Sequence, residues 1–230
     1  MRTVRTEPEI FTAGGLTAAL YRADEAGRAL IVLNSLNADV SAVVQAMEEI
    51  GTPDCSLLAV GVPDWNRDMT PWHCPPVFRG GEEYAGGADD YLRLLLDAVI
   101  PETLDRLGTA PRFTGIAGYS LAGLFALYAL YRCDAFGRAA SMSGSLWFPG
   151  FAEYAAEHGP VRLPDRVYLS LGDREAATRN PYLKTVAEST GTVADLFGKQ
   201  GAEVIRETNP GNHFRDAAQR SAKGIRALLI

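Results

Sequence analysis

The sequence predicts an α/β fold with a mostly parallel sheet and helices on both of its faces. Apolar runs typical of strands alternate with helical patterns along the chain. Most connections between the runs are long enough for crossover helices, which parallel strands require. A serine, Ser120, also stands between a short strand and a strongly apolar helix. We expect one domain over residues 1–230, because this length suits a single buried core.

Seven apolar runs are predicted strands: 16–21, 29–33, 57–62, 113–117, 138–142, 167–171 and 203–206. The first two are joined by a short segment that contains Asp24, Glu25 and Gly27, which is typical of a turn. We therefore expect these two strands to form a hairpin, and the later strands to pair in parallel.

Five segments are predicted helices: 40–50, 90–107, 121–131, 185–197 and 215–229. Pro101 is expected to kink or interrupt the second, since a helix interior has no place for its ring. Three connections, 63–87, 143–164 and 173–182, have no regular pattern and are expected to surround a binding cleft. Among their aromatic residues, Trp72 and Trp147 are predicted to line a substrate pocket, although aromatic side chains also commonly pack a loop against the core.

Composition excludes several classes of partner. The net charge of −6 disfavours nucleic acids and anionic membranes, so we expect a small-molecule substrate. No apolar run reaches the length of a membrane span, and residues 1–10 lack the apolar core of a secretory signal. The three cysteines have unrelated spacings, which predicts neither a disulfide framework nor a zinc cluster and favours the reducing cytoplasm. The oligomeric state does not follow from the sequence.

The segment Gly118-Tyr119-Ser120-Leu121-Ala122-Gly123 has the form of a nucleophile elbow. In such a strand–turn–helix joint the small neighbours allow a sharp bend with the serine at its apex, exposed to a cleft. Ala122 stands where a second glycine is usual, a mild departure because alanine adds only one methyl group. Ser120 is therefore the candidate nucleophile for acyl transfer.

A serine hydroxyl needs a base and a carboxylate that orients the base. His213 follows the last predicted strand, so its loop returns to the edge of the sheet where the elbow lies, and His73 is the fallback. The loop after the strand at 167–171 offers Asp173 and Glu175, and the residues alone leave both open. Either choice gives the order serine, acid, histidine.

The oxyanion of the tetrahedral intermediate needs two N–H donors. The amide of Leu121, directly after the serine, is the expected first donor. The second is expected from the loop after the strand at 29–33, which carries the segment 34–37.

Taken together, these segments resemble the α/β-hydrolase superfamily, and within it the esterase group that includes esterase D-like and enterochelin esterase-like enzymes. The resemblance is carried by residues 32–36, 67–72, 118–123, 143–147, 171–175 and 211–214. It implies an α/β-hydrolase fold, Ser120 as nucleophile, His213 as base and Glu175 as acid. It also implies the amides of Leu36 and Leu121 as the oxyanion donors. The length of 230 residues leaves little room for a large cap domain beyond the sheet, so none is expected.

The expected activity is that of a serine carboxylic-ester hydrolase acting through an acyl-enzyme on a small or short-acyl ester, with no metal or organic cofactor. A siderophore-ester hydrolase and an acyltransferase that use the same residues are the alternatives. A binding module with a decayed site is a third, and the presence of all three residue types argues against it.

Overall fold

The computed structural model describes residues 7–230. Its strands are β1 (Glu9–Ala13), β2 (Leu16–Tyr21), β3 (Leu30–Ser35), β4 (Ser56–Gly61), β5 (His73–Cys74), β6 (Tyr84–Ala85), β7 (Thr114–Tyr119), β8 (Arg138–Met142), β9 (Arg166–Gly172) and β10 (Glu203–Asn209). Its α-helices are α1 (Ser41–Glu49), α2 (Trp65–Asp68), α3 (Ala88–Leu94), α4 (Ile100–Leu107), α5 (Leu121–Leu130), α6 (Phe151–Glu157), α7 (Val186–Gln200) and α8 (Ala217–Leu229).

The main sheet has eight strands in the order β1-β2-β4-β3-β7-β8-β9-β10, and β5 pairs only with β6. All neighbours from β4 to β10 run parallel, whereas β1, β2 and β4 pair antiparallel. This arrangement confirms the predicted fold class. Because β3, β7, β9 and β10 are parallel, the segments that follow them meet at one edge of the sheet.

The predicted hairpin between residues 16–21 and 29–33 is wrong. β2 pairs with β1 on one side and β4 on the other, and β3 lies one strand further away. The hairpin turn is instead formed by Gly14 and Gly15, both with positive φ, which matches the twist of two-residue hairpins. The sequence analysis did not predict β1, and the turn-like residues at 24–27 belong to a longer connection.

Helices cover both faces of the sheet, as predicted. On one face α1 and α8 bury a cluster that includes Val44, Met47, Ile225 and Leu228. On the other face α5 is buried along all ten of its residues, with α3, α6 and α7 packed around it. A helix that is apolar all round belongs in such a central position.

Two connections are more regular than expected. The segment 63–87 contains α2 and the β5–β6 pair, and 143–164 contains α6. In α6, Phe151 and Ala155 repeat at helical spacing and are both buried, which accounts for the helix. The predicted interruption near Pro101 takes the form of a π-helical turn, Leu95–Val99, directly before α4.

Within residues 7–230, the structure contains no helix whose length and apolar character would let it cross a membrane.

Candidate active site

Ser120 lies at the apex of a sharp turn between β7 and α5. Its φ of 61° and ψ of −125° place it in a region that side-chain-bearing residues rarely adopt, and such strain is characteristic of functional turns. Gly118 makes the turn possible, because a Cβ there would lie 2.1 Å from the carbonyl oxygen of Ala122. It would also lie 2.7 Å from the Ala122 methyl group. The methyl at position 122 is therefore accommodated because position 118 has no side chain.

His213 lies between Ser120 and Glu175. Its Nε2 is 3.0 Å from the Ser120 Oγ, and its Nδ1 is 2.8 Å from the Glu175 Oε2. A carboxylate at Nδ1 favours the tautomer with the proton on Nδ1, which leaves Nε2 free to accept the serine proton. The phenol of Tyr119 donates to the His213 carbonyl at 2.7 Å and so ties the histidine loop to β7.

The Glu175 carboxylate is buried, with a side chain only 4% exposed. Burial acts to raise its pKa, but hydrogen bonds from His213, from the Gly172 amide and from the Ser143 hydroxyl outweigh that effect. The pKa of Glu175 is therefore below its ordinary value, and the group is a carboxylate at neutral pH. An ionised carboxylate is what stabilises an imidazolium at His213.

Asp173, the competing acid, lies in the same loop as Glu175, but its carboxylate binds a backbone amide and not His213. Its Oδ1 accepts a hydrogen bond of 2.7 Å from the Gly211 amide, and its side chain is 53% exposed. Of the two carboxylates left open by the residue pattern, the structure places Glu175 against His213.

The other two histidines lie elsewhere. His73 is exposed on β5, where its Nε2 is 3.2 Å from a Glu83 oxygen. His158 follows α6 and stacks on Tyr154, with ring centroids 4.2 Å apart. Neither lies among the residues that line the cavities at Ser120.

Two cavities meet at Ser120. The aliphatic lobe, of about 450 Å³, lies beneath α1 and α8 and is walled mainly by Leu33, Leu36, Val40, Val43, Ala217 and Ala218. The aromatic lobe, of about 320 Å³, is walled by Phe78, Tyr84, Trp147, Leu183 and the segment 143–145. Four residues line both lobes: Trp65, Ser120, His213 and Phe214. A bound substrate therefore has room on two sides of the serine.

The two predicted pocket tryptophans have different positions. Trp147 lines the aromatic lobe, whereas Trp72 lines neither lobe. The Trp72 ring packs against Tyr128, Phe148 and Tyr154, and its Nε1 donates to the Pro149 carbonyl. The prediction that Trp72 lines the substrate pocket is therefore wrong, because its side chain instead anchors its loop to the core.

The candidate oxyanion donors flank the serine. Leu36 lines the aliphatic lobe beside Ser120, and Leu121 opens α5 and lines the aromatic lobe. Within the described part of the chain, neither amide donates a hydrogen bond to another protein group. Neither N–H group is therefore used within the described part of the chain, and the one at Leu121 lies at the N-terminus of α5, the positive end of the helix dipole.

Sequence reasoning assigned no specific role to several residues of the site, although Trp65 is one of the loop aromatic residues that it considered for a pocket. Trp65 and Phe214 line both lobes, Ser143 donates to Glu175 at 2.7 Å, and Arg220 lies behind that carboxylate. For Arg220 a signal existed: it is spaced with Gly224 and Leu228 on the buried face of α8, where a charged residue requires a partner.

A comparison with family models decides the family. Residues 30–216 match the esterase family described as "Putative esterase". The chain belongs to this family. Membership confirms the resemblance drawn from the sequence and the predicted class of protein, an esterase. A curated relative, the uncharacterized protein YbbA of Bacillus subtilis (strain 168), is 25% identical over 150 residues, which are 63% of this chain and 60% of that protein.

Solved structures of three hydrolytic enzymes share the fold of this esterase-family chain. An IroE-like serine hydrolase from Shewanella oneidensis matches with a TM-score of 0.81 and 16% identity, covering 97% of this chain and 80% of that one. The siderophore hydrolase EstB from Aspergillus nidulans has a TM-score of 0.72 and 18% identity, covering 96% and 93%. The enterobactin esterase FES from Shigella flexneri has a TM-score of 0.69 and 18% identity, covering 98% of this chain and 59% of that one.

The matched region thus spans less than two thirds of YbbA and of the Shigella esterase. At these identities the solved structures establish the α/β-hydrolase fold of the chain. The substrate has to be argued from the chain's own site.

Proposed function

We propose that this protein is a serine carboxylic-ester hydrolase that works through an acyl-enzyme. The observation that carries the proposal is the continuous row of hydrogen bonds from Ser120 Oγ through His213 to Glu175, placed at a strained elbow and open to a cavity. The row contains a nucleophile, a base and an ionised carboxylate at the separations that proton transfer requires.

In the first half of the reaction, Ser120 Oγ attacks the ester carbonyl carbon while its proton passes to His213 Nε2. The carbonyl π electrons move to the oxygen, and the amides of Leu36 and Leu121 stabilise the resulting oxyanion. When the oxyanion collapses, the bond to the alcohol breaks, and the leaving alkoxide takes the proton from Nε2. The acyl group is now on Ser120.

In the second half, a water molecule attacks the acyl carbon and gives its proton to His213 Nε2. Collapse of the second oxyanion breaks the bond to Ser120 Oγ, which recovers the proton from Nε2, and the carboxylic acid leaves. Glu175 stays ionised throughout and stabilises the imidazolium that forms twice. These residues and amides complete the reaction by themselves, so the proposal includes no metal or organic cofactor.

A fluorophosphonate probe tests the proposal directly, because it labels only a serine activated by a neighbouring base. We expect stoichiometric labelling of the wild-type protein at Ser120, located by mass spectrometry of the labelled peptide. A non-enzymatic binding module with the same fold predicts no labelling under the same conditions. Labelling at a different serine would also contradict the proposal.

The open rim of the aliphatic lobe predicts a preference for short acyl chains. Leu36 and Phe214 on this rim are 69% and 86% exposed, so the part of a long chain that extends over the rim stays in contact with water and gains little burial. In a series of p-nitrophenyl esters we expect kcat/KM to be highest for acetyl to butyryl groups and to fall about tenfold or more for long chains. A steady rise toward long chains would instead indicate a lipase.

A siderophore ester is a second candidate substrate, favoured by the aromatic walls of the lobe that contains Tyr84 and Trp147. Aromatic acyl groups stack on such side chains. An acyltransferase differs only in the acceptor, an alcohol in place of water. Product analysis with and without added alcohols separates transfer from hydrolysis.

The proposal also includes a single domain, a small-molecule ester as the partner with neither nucleic acid nor membrane, and a location in the cytoplasm. The cysteines at 55, 74 and 133 are all free thiols, which suits a reducing compartment. Burial raises the pKa of the Cys55 thiol to about 12, so this group remains an unreactive thiol.

A further inference from the structure

We propose that Arg220 is a positioning residue that holds both partners of His213, the Glu175 carboxylate and the histidine loop, with one guanidinium group. The inference rests on the proposed function and extends it to a residue that does not line either lobe of the site. Arg220 belongs to α8 and its side chain is 1% exposed. Such a charge is stable in the interior only when its partners are close and well oriented.

The guanidinium divides its donors between two parts of the site. Its Nη1 lies 3.1 Å from the Glu175 Oε1 and 3.0 Å from the Ser143 Oγ. Its Nη2 donates to the Pro210 carbonyl at 3.0 Å. Pro210 begins the loop that carries His213, so a single planar group sets the distance between that loop and the carboxylate.

The carboxylate is thereby restricted to one orientation. Oε1 accepts from Arg220, from the Ser143 hydroxyl at 2.7 Å and from the Gly172 amide at 2.5 Å. The other oxygen, Oε2, is left for His213 Nδ1. With Oε1 occupied by three donors, rotation of the carboxylate away from the imidazole costs several hydrogen bonds at once.

The backbone leaves room for this guanidinium. Gly172 ends β9 directly beside it, and a Cβ at that position would lie 3.0 Å from both Nη1 and Nη2. It would also lie 2.3 Å from the Gly211 carbonyl oxygen. The close approach of β9, the histidine loop and the arginine therefore depends on a residue without a side chain.

The test compares Arg220→Met, which removes the charge and keeps the volume, with Arg166→Met as a matched control. Arg166 also binds α8, because its Nη1 donates to the Ala227 carbonyl at 3.0 Å, but this contact lies at the C-terminal end of the helix, far from Arg220. We expect R220M to lower kcat about 10- to 100-fold with KM within about twofold, because misplaced catalytic groups slow chemistry and Arg220 does not touch substrate. R166M is expected to lower Tm without changing kcat.

A pH profile separates positioning from mere structural support. The titratable groups that face His213 are Glu175 and Tyr119, and burial raises the pKa of Tyr119 so that it stays neutral. R220M removes a positive charge beside the Glu175–His213 pair and also frees the carboxylate that stabilises the imidazolium, so we expect the acid limb of kcat/KM to move in R220M and to stay in place in R166M. Arg220→Lys keeps the positive charge, so we expect the acid limb of its kcat/KM profile to lie near the wild-type position.

R220K also decides the matter if R220M does not fold. An ammonium group lacks the planar fork with which the guanidinium binds Glu175 and the Pro210 carbonyl through separate nitrogens, so we expect a loss of about 3- to 10-fold in kcat. A kcat within twofold of wild type in either folded variant, with an unchanged pH profile, overturns the proposal.

A readout independent of turnover distinguishes this failure from a failure of the proposed function. The low-field proton resonance of a His Nδ1–H bonded to a carboxylate should be present in wild type and R166M and lost or shifted in R220M. If it is unchanged in folded R220M, Arg220 does not position the pair, whether or not the protein hydrolyses esters.

Discussion

Replacing Ser120 with alanine is expected to lower kcat/KM for p-nitrophenyl acetate by about 10⁴-fold or more. The hydroxyl oxygen is the only heavy atom removed, and it is the atom that attacks the ester in the proposed mechanism. It lies 3.0 Å from the base that activates it, so no other side chain of the elbow can take its place. Steady-state kinetics with the purified variant provides the measurement.

Folding should be almost unaffected by the same change. Ser120 is half-buried at a turn, and alanine fits the same backbone conformation about as well as serine does. We therefore expect Tm to change by a few degrees at most. Ser145→Ala is the matched control, because its Oγ lies 3.4 Å from the Ser120 Oγ but outside the row of proton-transfer groups. A loss below tenfold is expected for S145A. Activity of S120A within about tenfold of wild type would show that the mechanism is wrong.

Most elements of the fold were predictable because their signals are local. The strand at 138–142 and the strand at 16–21 have the predicted bounds, and α5 ends one residue before its predicted end. Strand order is a different kind of property. The residues at 24–27 suit a turn whichever strands they join, and only the assembled sheet reveals that β2 lies between β1 and β4.

The residues of the site also divide into those with a local signal in the sequence and those whose position depends on the assembled fold. Ser120, His213 and Glu175 belong to short motifs beside strand ends, which parallel topology brings together. Trp65 and Trp72 share one loop, and which of them faces the cavity depends on α2, a four-residue helix whose start is capped by Asp64. Such a helix has too few residues to give a periodic signal.

The burial of Arg220 has only an indirect signal in the sequence, which is its place on the buried face of α8. An arginine in an amphipathic helix is ordinarily solvent-exposed. Its burial depends on the close approach of Gly172, 48 residues earlier in the sequence, and of the Pro210 carbonyl, and this approach exists only once β9, β10 and α8 are in place. The position of the acid beside it also depends on tertiary structure, and the residue pattern alone left both Asp173 and Glu175 as candidates.

Glu175→Gln is expected to lower kcat/KM by about 10³- to 10⁴-fold, and Asp173→Asn by less than tenfold. The size of the first effect follows from the surroundings of the two carboxylate oxygens. Every partner of Oε1 is a donor: the Gly172 amide, the Ser143 hydroxyl and the Arg220 guanidinium. A glutamine must therefore place its carbonyl oxygen there and turn its NH₂ group toward His213.

An NH₂ group facing Nδ1 selects the tautomer of His213 with its proton on Nε2. That nitrogen can then no longer accept the proton of Ser120, so the nucleophile is not activated although every side chain stays in place. In D173N the amide oxygen still accepts from the Gly211 amide, which is the only bond of the Asp173 carboxylate to the histidine loop among the described residues. Kinetics of both variants at a temperature well below their Tm values decides between the acids, and a crippled D173N beside a mildly affected E175Q would assign the role to Asp173.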